Sequence, residues 1–153
     1  MEKINKLLVA NRGEIAIRVL RAASELKIRT VAIYTFEDRY SLHRYKADES
    51  YIIGKENEPL KPYLDIEEII RVAKREHIDM IHPGYGFLSE NVTFARRCRE
   101  EGIVFVGPDA EIMEQLGDKI AAKKVAIEAK VPIIEDSKKD LTIVEIALSE
   151  AKR

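Results

Sequence analysis

The sequence predicts an α/β fold in three layers, a doubly wound parallel sheet with helices on both faces. Short apolar runs rich in β-branched residues alternate with segments of helical period, and that alternation implies parallel strands covered by helices. Capping residues mark several of the helix ends. The segments that follow the strands are the unusual ones, as expected where strand carboxyl ends gather along a single edge.

Strands are expected over residues 6–10, 30–35, 50–53, 79–82, 103–106 and 131–134, with helices over 14–27, 65–77, 90–101, 109–116, 118–130 and 141–153. In the first helix, Ile15, Val19, Ala22 and Leu26 share a face that should meet the sheet. Glu14, Arg18, Arg21 and Glu25 share an adjacent stripe. Mixed charge on one stripe usually means a solvated, self-paired surface. The sharper alternative is a contact with a second subunit or domain. In the helix over 65–77, Asp65 with Glu68 forms a capping-box pattern ahead of Ile66, Ile69, Ile70 and Ala73. Gly102 and Gly117 read as helix stops, and Thr142 with Glu145 as another box. After Gly117 the strand–helix rhythm weakens, so residues 1–116 read as one domain and 117–153 as the beginning of another.

Bulk properties remove several classes of function. The chain has 153 residues, enough to bury a core without disulfide or metal support. Its 26 basic and 27 acidic residues nearly cancel and form no block. That argues against a nucleic-acid or anionic-membrane surface. One cysteine, Cys98, cannot pair internally and suits a reducing compartment. No apolar run approaches a membrane span, and the charged start does not read as a signal peptide. A soluble cytoplasmic location is the expectation.

The most informative stretch is His82-Pro83-Gly84-Tyr85-Gly86-Phe87-Leu88-Ser89-Glu90-Asn91, directly after a strand-like run. Gly84 and Gly86 around Tyr85 allow backbone angles closed to other residues and a close approach to the main chain. The Ser-Glu-Asn end offers a cap for the next helix. Asn11-Arg12-Gly13-Glu14, Phe36-Glu37-Asp38-Arg39 and Gly107-Pro108 also follow strands, so one crevice could use all four segments. Taken locally, the Asn11–Glu14 segment is a tight turn needing one glycine. With Gly13 alone it is not a dinucleotide loop, which speaks against NAD or FAD.

His43 and His77 read as surface or capping residues, and His82 as a residue orienting the turn beside Pro83. None has a second ligand at metal spacing, so no metal site is expected. Cys98 lies on a face with Phe94 and Ala95, as a buried structural thiol would. No serine sits in a nucleophile elbow. Gly117-Asp118-Lys119 offers a surface lysine or, more sharply, a cation for a nucleotide's phosphates.

Taken together, Ala10-Asn11-Arg12-Gly13-Glu14-Ile15-Ala16, Lys46-Ala47-Asp48-Glu49, Ile81 through Asn91, Gly107-Pro108 and Gly117-Asp118-Lys119 resemble the start of biotin carboxylase. The match runs collinearly from about Lys6 to Pro132, and the segment from Glu37 to Glu49 looks most like pyruvate carboxylase. Acetyl- and propionyl-CoA carboxylases, the alternatives within the family, usually read differently there.

The resemblance implies a Rossmann-like pre-ATP-grasp domain followed by the first segment of an ATP-grasp fold. It implies ATP, Mg2+ and biotin as cofactors of the whole enzyme, with bicarbonate activated as carboxyphosphate. The partners implied are the rest of the biotin carboxylase module, a biotin carboxyl carrier domain, a carboxyltransferase domain and a second copy of the module. By resemblance Lys119 binds ATP, while Tyr85 with Gly84 and Gly86 lines the bicarbonate–biotin region. Arg18, Arg21 and Glu25 belong to the dimer contact by the same resemblance, which reverses the solvated reading of the stripe.

In the family, the glycine-rich flap, a second ATP lysine, the magnesium carboxylates and the arginine and glutamate that handle bicarbonate lie beyond the residues present here. The chain is therefore expected to be inactive alone, with no catalytic residue and no bound cofactor of its own. One departure stands out: where relatives often have glycine before Val-Pro, and Pro-Gly soon after, this chain has Lys130-Val131-Pro132 and Ile133-Ile134-Glu135-Asp136. Two other readings compete, a stand-alone non-catalytic binding or assembly domain and a different ATP-grasp ligase.

Overall fold

The computed structural model describes residues 4–133 and 143–152. Its strands are β1 (Lys6–Val9), β2 (Arg29–Tyr34), β3 (Glu49–Ile52), β4 (Met80–His82) and β5 (Val104–Phe105). They form one parallel sheet in the order β3-β2-β1-β4-β5. The helices are α1 (Gly13–Glu25), α2 (Leu42–Lys46), α3 (Ile66–Arg75), α4 (Val92–Glu100), α5 (Ala110–Gly117), α6 (Lys119–Glu128) and α7 (Val144–Ala151). Two 3-10 turns, Glu37–Tyr40 and Lys61–Leu64, complete the described elements. The α/β class and the parallel sheet are as the sequence predicts. The chain divides into two compact units, Met1–Gly117 and Asp118–Arg153, and the sheet belongs to the first.

Side chains of β1 alternate between the two faces of the sheet. Leu8 and Ala10 enter a core with Val31, Ile33, Ile69, Ile70, Phe94 and Cys98, whereas Leu7 and Val9 pack with Ala16, Leu20 and Ala23 of α1. Both sides of the central strand are therefore buried, which explains its unbroken apolar run. The order reverses between β1 and β4: the chain moves outward through β2 and β3, then returns to the far side of β1. Such a reversal is where ligands bind in open α/β sheets, at the carboxyl ends of the strands.

The structure corrects several local expectations. The sheet-facing side of α1 is Ala16, Leu20 and Ala23, with Val19 partly buried beside them as expected, while Ala22 is exposed and Leu26 is 72% exposed. The apolar arc of α1 is wider than its contact, and the small alanines let helix and sheet approach. At α3, Asp65 caps by accepting from the Glu68 amide at 3.0 Å. Glu68 does not return the bond; its carboxylate accepts from the Gly54 amide and from Arg71.

Residues 131–133 are not a strand, and Ile134 lies outside the described residues, as do Glu135, Asp136 and Thr142. Val131 instead finishes α6 by donating its amide to the Ala126 carbonyl at 2.9 Å, with Lys130 in the left-handed region at φ +57°. The turn thus forms around a lysine at an angle where glycine is the usual occupant.

Candidate functional site

The turn over 82–91 leaves β4 at the reversal point of the sheet, beside the segment that leaves β1. The Ala10 amide donates to the His82 carbonyl at 2.9 Å, extending the pairing one step past the strands. Asn11, 3% exposed, then reaches across: its Nδ2 donates to the carbonyls of Pro83 (2.7 Å) and Tyr85 (2.9 Å). Its Oδ1 accepts from the Arg12 amide at 2.9 Å. Both amide hydrogens and the oxygen are engaged, which fixes the orientation of the side chain.

This clamp accounts for Gly84. A Cβ there would lie 2.5 Å from Nδ2 of Asn11, and the residue sits at φ +70°. Gly86, at φ +64°, faces open space, so it is required for backbone angle alone. Phe87 is left-handed too, at φ +40°. Tyr85, between the glycines, is 64% exposed.

His82 orients the turn, as expected: its Nδ1 accepts the Gly84 amide at 3.0 Å. Burial lowers its pKa and so favours the neutral ring, and the Gly84 amide selects the tautomer in which Nδ1 accepts. At the far end, Asn91 caps α4 by accepting from the Phe94 amide at 2.9 Å.

Behind the turn lies a buried carboxylate. Asp38, 3% exposed, accepts from Arg12 Nε (2.6 Å) and Nη2 (2.5 Å), from Ser41 Oγ (2.8 Å) and from Tyr63 Oη (2.8 Å). Burial pushes the Asp38 carboxyl up, but these donors more than offset it and hold the group at about 2. The same bond to Asp38 raises Arg12. Tyr63 is raised by its burial and by the carboxylate it faces. Its ring stacks on Phe87 with centroids 5.4 Å apart and planes at 15°. Asn11, Arg12, Glu14, Ile15, Tyr85, Gly86 and Phe87 line a shallow hollow of about 290 Å³.

The segments after β1, β2 and β4 therefore share one construction. Gly107 and Pro108 line a different hollow, with Ala95, Arg99 and Asp109. The charged stripe of α1 is exposed and self-paired, Arg18 with Glu14 at 3.3 Å and Arg21 with Glu25 at 3.0 Å. Lys119 opens α6 in the other unit and is exposed. Asp118 caps that helix by accepting from the amides of Ile120 (3.0 Å) and Ala121 (2.8 Å). Cys98 is buried as expected, and that burial pushes its thiol up to about 12.

His43 is a correction. It is fully buried, not a surface residue, with Nε2 3.2 Å from the Ile33 carbonyl. The short α2 helix turns it inward beneath β2, and burial lowers its pKa. Sequence reasoning missed Tyr63 entirely and treated Asn11 as part of an ordinary turn. Neither carries a linear signal, because Asn11 binds carbonyls 72 and 74 positions away and Tyr63 binds Asp38, 25 positions away.

A family model described as biotin carboxylase, N-terminal domain, matches residues 3–113. The chain is 58% identical to the pyruvate carboxylase of Staphylococcus aureus, over 96% of this chain and 13% of that protein. It is 60% identical to the Bacillus subtilis pyruvate carboxylase, over 89% and 12% respectively. Among solved structures, the complete multifunctional pyruvate carboxylase from Rhizobium etli superposes with a TM-score of 0.82 at 52% identity, covering 89% of this chain and 13% of that one. The biotin carboxylase domain dimer of Hydrogenobacter thermophilus 2-oxoglutarate carboxylase, in complex with MgADP, ADP and bicarbonate, gives a TM-score of 0.91 at 47% identity, covering 99% and 33%. The chain thus spans about an eighth of the length of the curated relatives named here. On the family match, the shared parallel sheet and the switch-point turn, the chain belongs to the biotin carboxylase N-terminal domain family.

Proposed function

We propose that this chain supplies the N-terminal part of a biotin carboxylase module of the pyruvate carboxylase kind. In that reading, ATP and bicarbonate carboxylate biotin carried on a carrier domain. A carboxyltransferase domain then moves the carboxyl group to pyruvate, giving oxaloacetate. The observation that carries it is the turn over 82–91, clamped by Asn11 at the reversal point of the sheet. Its support from outside the chain is the identity to pyruvate carboxylases over most of these residues.

The chain's own residues fit one wall of the reaction site. Tyr85, flanked by Gly84 and Gly86, presents an exposed ring above a fixed backbone. A flat, exposed aromatic beside a hydrogen-bonded turn suits the bicarbonate–biotin region, where biotin when bound supplies the nitrogen that receives the carboxyl group. The charge of Arg12 is largely neutralised by Asp38, so it serves to hold the wall. Lys119 is the residue proposed to meet ATP phosphates, as a point charge at the start of α6. Among the described residues no group of three or more His, Cys, Asp or Glu is placed to hold a metal ion. The described residues therefore supply no ready-made Mg2+ cluster of their own.

Arg18, Arg21 and Glu25 are proposed to meet a second module, exchanging their present pairing for one across the interface. The comparison structure described as a biotin carboxylase domain dimer supports that assignment. A cytoplasmic site of action is proposed from the lone, buried Cys98.

Phosphoryl transfer depends on positioning and charge stabilisation. This chain alone is therefore expected to bind nucleotide more weakly than about 1 mM. The deciding experiment joins the chain to the remainder of a biotin carboxylase module and assays ATP cleavage. Cleavage that requires both bicarbonate and free biotin is expected, and a folded module without it would overturn the proposal.

A further inference from the structure

We infer that Tyr63 is a positioning residue for Tyr85, acting through Phe87 and anchored by Asp38. The inference rests on the proposed role of Tyr85 in the bicarbonate–biotin region.

Three of the four residues from Gly84 to Phe87 lie in the left-handed region, at φ +70°, +64° and +40°. Glycine adopts that region freely, but a phenylalanine does not. Something must hold Phe87 there, and the stacked ring of Tyr63 is in place to do so. Tyr63 is itself fully buried, so the ring it offers is fixed.

Packing alone would be served as well by phenylalanine at position 63. A buried hydroxyl is a cost unless it is bonded, and this one donates to Asp38 Oδ2 at 2.8 Å. That bond sets the tilt of the ring against Phe87. The same carboxylate binds Arg12, whose neighbour Asn11 holds the carbonyls of Pro83 and Tyr85. The turn is thus gripped at Pro83 and Tyr85 by Asn11 and beyond them at Phe87 by Tyr63, and both grips lead back to Asp38. Tyr85 lies between them with its ring free to meet a ligand and its backbone unable to drift.

Hydrogen exchange followed by NMR on this chain tests the first half. The reporting amides are Gly84, bonded to His82 Nδ1, and Ser89, bonded to the Gly86 carbonyl. Ala10 and Val104, bonded in the sheet, are the controls. Tyr63→Leu and Phe87→Ala should each speed exchange at Gly84 and Ser89 about tenfold, the scale of a lost aromatic pair, with the controls unchanged. Tyr63→Phe, which keeps the ring but loses the bond to Asp38, should restore only part of the protection, and wild-type exchange in that variant overturns the anchoring by Asp38. If Tyr63→Leu disturbs the core so that the controls also speed up, Phe87→Ala, which removes the half-buried partner of the stack and leaves Tyr63 in place, decides. Wild-type exchange at Gly84 and Ser89 in Phe87→Ala overturns the inference.

Kinetics in the joined module test the second half. Phe87→Ala should raise KM for free biotin about tenfold and leave KM for ATP unchanged. A loosened turn with unchanged KM for biotin and bicarbonate also overturns it. An inactive wild-type module would refute the proposed function instead, and the exchange result would still decide whether Tyr63 holds the turn.

Discussion

Asn11 donates one side-chain hydrogen to the carbonyl of Tyr85 at 2.9 Å, across the point where the strand order of the sheet reverses. The other hydrogen goes to Pro83, so a single residue after β1 sets the path of the turn after β4. Replacing Asn11 with Ala would leave two carbonyls without a donor beside a small void. A loss of about 2 kcal/mol is expected, equivalent to roughly 6 °C in the unfolding midpoint of a domain this size. Thermal denaturation followed by circular dichroism checks it, and a midpoint within a degree of wild type would contradict the clamp.

The two glycines of the turn should differ. Gly86→Ala meets only the backbone penalty, about 1 kcal/mol, because its surroundings are open. Gly84→Ala adds contact with Asn11 at 2.5 Å, so about 3 kcal/mol is expected. Urea midpoints of the two variants provide the comparison; equal losses would mean that the approach of Asn11 is not what selects glycine.

Asp38 should control part of the acid limb of stability. Its folded pKa of about 2 lies below the ordinary aspartate value of 3.8, so the folded state binds its proton less readily than the unfolded state. The contribution is complete above about pH 4 and is lost as pH falls toward 2, to a total near 2 kcal/mol. Asp38→Asn should flatten the stability profile across that window. A slope identical to wild type between pH 4 and 2 would show that other carboxylates carry it.

Lys130 adopts φ +57° in the turn that ends α6. Lys130→Gly should relieve that angle and stabilise the helix end by about 1 kcal/mol. Slower exchange of the Val131 amide, which is bonded to the Ala126 carbonyl, is the readout. Unchanged or faster exchange would mean that the lysine is compensated where it stands.

Arg18→Glu distinguishes a solvated stripe from an interface. Its pair with Glu14 is exposed, so the loss of monomer stability should stay within about 0.5 kcal/mol. If the stripe joins two modules, sedimentation should show the wild-type dimer of the joined module falling to monomer in the variant. An unchanged mass would assign the stripe to solvent.

The fold was legible where burial repeats along the chain. β1, β2 and β4 are covered on both faces, so their apolar runs stand out, and the caps at Asp65 and Asn91 are local patterns. On α1 the expected Val19 does pack toward the sheet, but the centre of the contact lies one position further on, because Ile15, Ala16, Ile17, Val19 and Leu20 leave several apolar choices that only the sheet decides. The 82–91 turn was conspicuous from its glycines alone. Its supports were not: Asn11 is more than seventy positions away from the carbonyls it binds, and Tyr63 sits in a short 3-10 turn within a polar stretch. His43 looked like a surface residue because its neighbours are polar, although α2 directs it under the sheet.

The distance in sequence between Asn11 and the turn has a kinetic consequence. The clamp cannot close until β1 and β4 lie side by side, a pairing that brings together strands separated in the chain by α1, β2, α2, β3 and α3. Such remote contacts form only after loop closure has been achieved. The surroundings of Tyr85 should therefore reach their final form after the centre of the sheet has assembled, and the Gly84 amide becomes protected only once that assembly is complete.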